Sequence, residues 1–134
     1  MFNPYEYLRK FINFVAEILC FLCFMRGVER IKGILAKIRE LLFFEEPEVK
    51  VILYGSYARG EAREDSDIDL LILLPDRYEG REFVKKKFAI SDKLYDLSLE
   101  SGMEISPMIT VSKIFKARKT LFSVNINNEG LVVI

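Results

Sequence analysis

The most informative part of the sequence is GSYARGEAREDSDIDL, residues 55–70. The β-branched apolar run Val49–Tyr54 precedes it, and the nearly continuous apolar run Ile68–Leu74 begins at its end. Runs of this length bounded by glycine or proline predict β-strands, and the second is typical of a strand buried on both faces. Gly55 lies where the first strand must turn, and a short helix is predicted over Ser56–Arg63. The stretch therefore predicts a strand, a turn, a short helix and a second strand.

The flanking sequence predicts further helices and strands. Apolar residues recur at helical spacing from Val28 to Leu42, and Pro47 ends this helix. Beyond the second strand the pattern predicts a long helix over Arg81–Ser101, a strand over Glu104–Val111, a short helix over Val111–Lys119 and a closing strand over Leu131–Ile134. Pro107 predicts an edge position or a bulge for the third strand, because proline cannot donate to the ladder. The fold class is α/β, a small mixed sheet with flanking helices mainly on one side.

Length and composition limit the classes of function that the chain can have. A chain of 134 residues supports one compact domain. Its 20 basic and 20 acidic residues give a formal net charge of zero, which argues against nucleic acid as a direct stable partner. The run Lys85–Lys87 is interpreted as the wet side of an amphipathic helix rather than an RNA contact. The absence of histidine from the sequence excludes a Ser-His triad and a His-ligated zinc site. Catalysis would have to use carboxylates, hydroxyls, Lys, Arg or backbone amides.

Residues 1–24 differ in composition from the rest of the chain. They hold 7 of the 17 aromatic residues but only four charged ones. The apolar run Phe11–Met25 is shorter than the roughly 20 residues that a membrane span needs, and no signal-peptide cleavage site follows it. Three interpretations stay open for residues 1–24: an apolar helix covering the domain, a helix that docks a partner, or an extension upstream of the native start. Residues 25–134 are predicted to form the domain itself.

Cys20 and Cys23 form a lone C-x-x-C pair. A structural zinc site needs four ligands, and the sequence has no further Cys and no His. We interpret the pair as two small hydrophobic residues in a reducing compartment, with a redox pair as the alternative. A cytoplasmic protein is therefore expected.

The turn at Gly55 and Ser56 is a candidate phosphate site. Glycine lets a ligand approach the backbone closely, and a helix start offers unpaired N–H groups and a positive dipole end. Ser56 can cap that helix or donate its hydroxyl to a phosphate oxygen. A simple Gly-Ser turn with an N-cap is the alternative interpretation of these two residues.

Asp67 and Asp69 are a candidate metal site. Residues two apart in a strand point to the same face, so the two carboxylates lie side by side at the start of a buried strand. Like charges at that distance destabilise each other, and a divalent cation or a proton relieves the repulsion. A hard cation such as Mg²⁺, bound through carboxylates and substrate phosphates, fits this chemistry. Solvated carboxylates at a strand end are the alternative.

The two candidate sites together resemble a known pattern. Gly55-Ser56, ten intervening residues and Asp67-x-Asp69 resemble the motif of the nucleotidyltransferase superfamily, which includes DNA polymerase beta and the kanamycin nucleotidyltransferases. The sequence G-S-Y-A-R-G-E-A, followed by S-D-I-D-L-L, is similar to the corresponding sequence of the minimal nucleotidyltransferases of bacteria and archaea. The resemblance extends from Met25 to the C-terminus. It implies the nucleotidyltransferase fold for residues 25–134, ATP as substrate and one or two Mg²⁺ ions as cofactor.

The resemblance also implies the acidic part of the site. Asp67 and Asp69 would be catalytic Mg²⁺ ligands. A third acidic residue usually comes from a neighbouring strand, as a ligand or as the base for the attacking hydroxyl. Glu104, at the start of the third predicted strand, is the best-placed candidate for both roles. The family more often has Asp here and some minimal members lack the third acid, so a strand-edge charge is the alternative.

The nucleotide-binding part follows from the same resemblance. Gly55 and Ser56 would contact the phosphates of the nucleotide. Arg59 and Arg63 are candidates for balancing phosphate charge, with solvated surface arginines as the alternative. Ser66 would brace the aspartate pair or only cap a turn.

The function implied is transfer of AMP, or another nucleoside monophosphate, from the triphosphate to a hydroxyl acceptor. The length leaves no room for a second domain, so acceptor recognition is expected from a dimer partner or a separate protein. Minimal nucleotidyltransferases are commonly paired with a small helical HEPN protein in toxin–antitoxin modules, which implies such a partner here, and a homo-oligomer stays open. The alternative function is a non-catalytic antitoxin-like module that neutralises the HEPN partner by contact. Modification of a small aminoglycoside-like molecule is a third hypothesis, weakened by the missing second domain.

Overall fold

The computed structural model describes residues 3–134, except for the side chains of residues 20–26. The described residues form five helices and four strands, in the order α1 Pro4–Glu45, β1 Lys50–Tyr54, α2 Ser56–Arg59, β2 Ile68–Leu74, α3 Gly80–Ser101, β3 Ile105–Val111, α4 Ser112–Ala117, α5 Leu121–Glu129 and β4 Leu131–Val132. The side chains of Cys20, Cys23 and Met25 lie outside the described residues, so the interpretations that rest on them stay predictions. A search of the described helices finds none with the length and apolar character needed to cross a membrane.

The four strands form one mixed sheet in the order β3-β2-β1-β4. β1 pairs antiparallel with both β2 and β4, and β2 pairs parallel with β3. β3 lies at the edge of the sheet, as Pro107 predicts. The α/β class and the mixed sheet are confirmed.

The alternation of side chains along the two central strands divides the core into two layers. Val51, Leu53, Leu70 and Ile72 point to the face covered by α1 and α3, where the larger cluster of buried residues lies. Their neighbours in the strands point to the other face, which Phe115 from α4 and Phe122 and Ile126 from α5 cover. The two long helices share one face as expected, but α5 on the opposite face was not predicted.

Two helix boundaries differ by several residues from the sequence-based predictions. α1 begins at Pro4 and is continuous to Glu45, because the polar side chain of Asn3 caps its first turn and no further proline occurs before Pro47. α2 ends at Arg59 instead of Arg63, because Gly60 adopts the left-handed conformation that ends helices (φ +73°).

The helix α5 was missed because its sequence, LFSVNINNE, combines weak amphipathic periodicity with three asparagines. It is held by a reciprocal cap, in which the hydroxyl of Thr120 accepts from the Ser123 backbone N–H and the Thr120 N–H donates to Ser123 Oγ. The usual capping box has Glu or Gln where this chain has Ser123. The signal was therefore present in the sequence, but in an uncommon form.

The carboxylate of Glu46 closes the junction between α1 and β1. Glu46 is buried and accepts hydrogen bonds from Arg77 Nη2 (2.7 Å), from the Tyr78 hydroxyl and from the Glu48 backbone N–H (3.2 Å). Burial by itself would raise the pKa of this carboxyl, but the hydrogen bonds from Tyr78 and Arg77 outweigh it and hold the pKa below its usual range. The charged carboxylate is thus part of the folded structure.

Replacing Glu46 by Gln is expected to lower the free energy of unfolding by about 2 kcal/mol at neutral pH, because a charge-assisted network loses its acceptor. A folded pKa below the unfolded value means that this stability is present above the ordinary Glu pKa of about 4.3 and is lost as the pH falls through the folded value. Urea titrations at pH 7 and below pH 4 measure both effects. Glu48→Gln is the matched control, because Glu48 is an exposed ion-pair partner of the same Arg77. Its expected effect on the free energy of unfolding is below about 0.5 kcal/mol. Equal effects of the two variants at pH 7 would contradict the assignment.

Candidate active site

The turn after β1 places a glycine, whose backbone carries no side chain, at the end of the sheet. Gly55 follows Tyr54 with φ +75° and ψ −152°, a conformation that L side chains rarely adopt, and its carbonyl accepts from the Arg59 N–H (3.1 Å). The following helix α2 has only four residues, so a helix dipole contributes little here. Ser56 is half-buried, and among the described residues its hydroxyl has no hydrogen-bond partner. Phosphate binding at this turn would therefore rest on local N–H groups and the Ser56 hydroxyl.

The carboxylate of Asp69 lies directly against Gly55. In the antiparallel register of β1 and β2, Asp69 is opposite Tyr54, one residue before the turn. A Cβ atom added to Gly55 would be 2.2 Å from Asp69 Oδ2, so only glycine fits beside the carboxylate. The tertiary structure thus brings the glycine turn and the aspartate pair into one site, on the sheet face that α5 covers.

Asp67 and Asp69 form an electrostatically strained pair. Burial raises the pKa of the Asp69 carboxyl above its usual range, the negative charge of Asp67 raises it further, and the positive charge of Arg59 partly opposes both. Across the ladder, burial and the Asp69 charge raise the pKa of the Tyr54 hydroxyl. Within the described part of the chain, neither carboxylate has a hydrogen bond or an ion pair within bonding distance. The pair is therefore a site of excess negative charge that favours a cation.

Arg59 is held at the rim of the site by two carboxylates. Its Nε donates to Glu61 Oε2 (3.0 Å) and its Nη1 donates to Glu129 Oε1 (3.3 Å), which joins α2 to the end of α5. The hydrogen bond to Glu61 and the charge of Glu129 raise the pKa of the Arg59 guanidinium. The guanidinium is thus a fixed positive charge whose field reaches Asp69.

Ser66 and Arg63 shape the loop before the aspartates. Ser66 Oγ accepts from the Arg63 backbone N–H (2.7 Å), and the Ser66 N–H donates to the Arg63 carbonyl (3.1 Å). Arg30 of α1 donates to the Glu64 carbonyl of the same loop (2.9 Å). In this conformation the Ser66 hydroxyl closes a turn that positions Asp67, while the Arg63 side chain is exposed to solvent.

Glu104 lies beside the aspartate pair at the same end of the sheet. Its carbonyl accepts from the Ile68 N–H (2.8 Å), and the parallel register pairs Ile68 with Ile105. Extending that register by one residue sets Glu104 next to Asp67, with its side chain exposed. Among the side chains that the structure describes, which leave out residues 20–26, no group of three Asp, Glu, Cys or His residues could hold a metal ion. The described conformation therefore brings together two carboxylates, with Glu104 as their neighbour.

The donor set fits Mg²⁺. This ion keeps several waters and is usually bound through one or two carboxylates together with substrate phosphates. The carboxylates of Asp67 and Asp69 have no competing cation in bonding contact among the described residues. Residues 55–69 can therefore supply both the metal ligands and the phosphate contacts.

Two residues at the site were missed from the sequence. Tyr54 gave no signal beyond being the last residue of a strand, and it packs edge-to-face on Phe122 of α5 (ring centroids 5.2 Å apart). Glu129 ends a helix that was not predicted, so its ion pair with Arg59 was not foreseen either.

Comparisons with known proteins identify relatives of this chain. The nucleotidyltransferase domain family matches residues 35–128. Two relatives from Methanocaldococcus jannaschii bear the names "Putative protein adenylyltransferase MJ0141" and "Putative protein adenylyltransferase MJ0128". The first is 38% identical over 84 residues, covering 63% of this chain and 77% of the relative. The second is 37% identical over 73 residues, covering 54% and 70%.

A solved structure described as "Crystal structure of the toxin-antitoxin with AMP-PNP" is similar in fold. The two superpose with a TM-score of 0.52 at 19% sequence identity, over 75% of this chain and 72% of the other. At this identity the likeness concerns the fold alone.

Proposed function

Because this chain belongs to the nucleotidyltransferase domain family, we propose that it transfers AMP from ATP, with Mg²⁺, to a hydroxyl group on a partner protein. The observation that carries the proposal is the contact between the Gly55 backbone and the Asp69 carboxylate. That contact joins a candidate phosphate site to a candidate metal site, which is the arrangement needed for in-line displacement at phosphorus. The cytoplasm, which supplies ATP, is the proposed location.

The residues would divide the work as follows. The carboxylates of Asp67 and Asp69 would hold the metal, which when bound supplies positive charge to the phosphate oxygens. The backbone at Gly55 and the hydroxyl of Ser56 would orient the departing pyrophosphate. Arg59, held by its two carboxylates, would add a fixed positive charge at the rim.

Glu104 is proposed as the base that takes the proton of the attacking hydroxyl. Its place beside Asp67 in the extended register supports this role, and its exposed side chain leaves it free to reach an acceptor. Since its carboxylate is not clustered with the aspartates in the described conformation, we assign it to the acceptor side of the site. We also propose that the Glu104 carboxylate becomes a metal ligand when the substrate binds.

The acceptor is proposed to be a protein. The relatives named as protein adenylyltransferases support a protein acceptor, and the fold shared with a protein from a toxin–antitoxin structure supports a partner of that kind. We propose a small helical HEPN-type toxin as the partner, modified on a hydroxyl side chain. Ser66 would support nucleotide binding indirectly, through the turn that positions Asp67.

A non-catalytic antitoxin-like module is the second candidate function. The observation that favours it is the missing third carboxylate in the described cluster. Neutralisation would then occur by contact with the toxin and would need no transfer.

The test is AMP transfer from α-labelled ATP with Mg²⁺ into a mixture of this protein and its candidate HEPN-type partner. Label on the partner that disappears with the Asp67→Asn/Asp69→Asn variant would support a protein adenylyltransferase. A stable complex without label would favour the binding module. Neither label nor complex would reject both functions and direct the search to small-molecule or RNA acceptors.

A further inference from the structure

The first half of α1 exposes a band of apolar side chains to solvent. Residues 3–19 are all exposed although the helix runs without a break from Pro4 to Glu45. The exposed fractions include 54% for Leu8, 54% for Phe11 and 57% for Leu19. Single exposed apolar residues are normal on a protein surface, but a contiguous band marks an interaction site.

The band is one-sided. At about 100° per residue, the six side chains that form it lie within an arc of roughly 120°. We call this the outer face; its members are Leu8, Phe11, Ile12, Val15, Ile18 and Leu19. The polar stripe Glu6, Lys10, Asn13 and Glu17 lies on the opposite side of the helix. The segment is therefore amphipathic by itself, although the pattern is lost when averaged over the whole of α1.

The outer face points away from the domain. Further along the same helix, the buried residues Ile31, Ile34, Ile38 and Leu42 pack on the sheet. Following the helical rotation back from these residues leads to the polar stripe, so the outer face lies roughly opposite the side on which the domain sits. The interpretation of residues 1–24 as a helix covering this domain is therefore not supported for residues 3–19. The unoccupied side is open to a second molecule without steric conflict with the domain.

We propose that the outer face is the interface of a homodimer, in which it packs against the outer face of a second copy. At roughly 200 Å² for a large apolar side chain, the outer face together with Tyr5 and Phe14 exposes about 900 Å². This matches the roughly 800 Å² that each partner contributes to a stable interface. The same surface on both copies makes a closed two-fold pair, the commonest form of oligomer.

An antiparallel pairing places the two domains at opposite ends. Residues 4–19 span about 24 Å of helix. Among the described side chains of α1, the first that is buried is Ile31, more than two turns beyond them. Two helices that cross within this segment therefore hold their domains apart. Both candidate active sites would stay accessible.

The charges of the segment disfavour a lipid surface as the occupant. Helices that lie on membranes carry an excess of Lys and Arg on their polar face. Here Glu6 and Glu17 balance Arg9 and Lys10, and Lys10 Nζ lies 3.5 Å from Glu6 Oε1. A neutral polar face supplies no attraction to anionic lipid. We therefore assign the outer face to a second copy of the chain.

The test is the mass of the full chain in solution, measured by sedimentation equilibrium over a concentration series. The wild type is expected at about twice its 15.6 kDa, and Phe11→Glu/Val15→Glu at the monomer mass. Lys10→Gln/Asn13→Glu changes the net charge by the same amount within the polar stripe and should remain dimeric. Circular dichroism should show that all three chains keep the same fold, because residues 3–19 are outside the core.

Three results would overturn the proposal. The first is a wild type that stays monomeric across the series, and the second is a dimer that survives the outer-face variant. The third is a monomer that floats with phosphatidylserine-containing vesicles, which would identify lipid as the occupant. Because none of these measurements involves nucleotide, their outcome is independent of the proposed transfer reaction.

Discussion

Asp69→Asn is expected to lower the rate of AMP transfer about 10³-fold, the scale seen when a principal electrostatic stabiliser of a transition state is removed. Asparagine has the shape of aspartate but no charge, so the packing against Gly55 is retained while the metal site loses half of its carboxylates. The affinity for ATP in the presence of Mg²⁺, measured by calorimetry, should fall by at least about tenfold. Asp65→Asn, two residues before the pair and exposed, is the matched control and should leave both quantities unchanged.

The same variant should not destabilise the fold. The pKa of Asp69 is raised in the folded chain by burial and by Asp67, so ionisation of this carboxyl opposes folding. Below the ordinary Asp pKa of about 3.9 the Asp69 carboxyl is protonated and the folded chain keeps its full stability. Part of this stability is lost as the pH rises through the pKa of Asp69 in the folded chain. At pH 7 the variant should therefore be at least as stable as the wild type, and the difference should vanish near pH 3. Lower activity together with lower stability at pH 7 would show a misfolded site and contradict the argument.

Asp69→Asn also separates the two proposed functions. If neutralisation of the partner requires transfer, the variant should lose it together with the label. If neutralisation occurs by contact alone, the variant should retain it, because its surface shape is preserved.

Gly55→Ala is expected to abolish transfer and to cost about 2–3 kcal/mol of stability. The backbone at Gly55 has φ +75°, and this conformation costs a non-glycine residue of the order of 1–3 kcal/mol. The added methyl group would also be 2.2 Å from Asp69 Oδ2, so the carboxylate must move out of its place. Denaturant titration and the transfer assay measure the two effects separately.

Gly102→Ala is the matched control for the backbone cost. Gly102 ends α3 with φ +69°, and a Cβ there would meet nothing within 4 Å. This variant should lose about 1–2 kcal/mol, with transfer unchanged. If Gly55→Ala proved no worse than Gly102→Ala in the transfer assay, the contact between the turn and the aspartate would have no functional importance.

The parts of the fold predicted correctly were those with strong local patterns. The run Ile68–Leu74 is a strand with those bounds, because an apolar run that ends at a proline has few other solutions. The long helix predicted over Arg81–Ser101 begins one residue earlier and ends at the same residue, because Gly102 stops it in a left-handed conformation. These signals lie within a few residues of the element they determine.

The missed elements were those whose stability comes from distant contacts. The helix α5 has weak periodicity and becomes stable by packing Phe122 and Ile126 on the sheet face that Leu71 and Leu73 expose. Its last residue, Glu129, then reaches Arg59 across 70 positions of sequence. No local pattern records such a contact.

The candidate site shows the same division. The sequence pattern was enough to predict the candidate site residues, because glycine at a turn and two aspartates two positions apart have few explanations in common. The folded chain adds that Asp69 lies against Gly55, that Ser66 closes a turn, and that Glu104 is next to the pair without clustering with it. The reason is physical: residue type sets what a group can do, whereas strand register and packing set which groups meet. Register depends on the whole sheet, and the sheet exists only after the chain has folded.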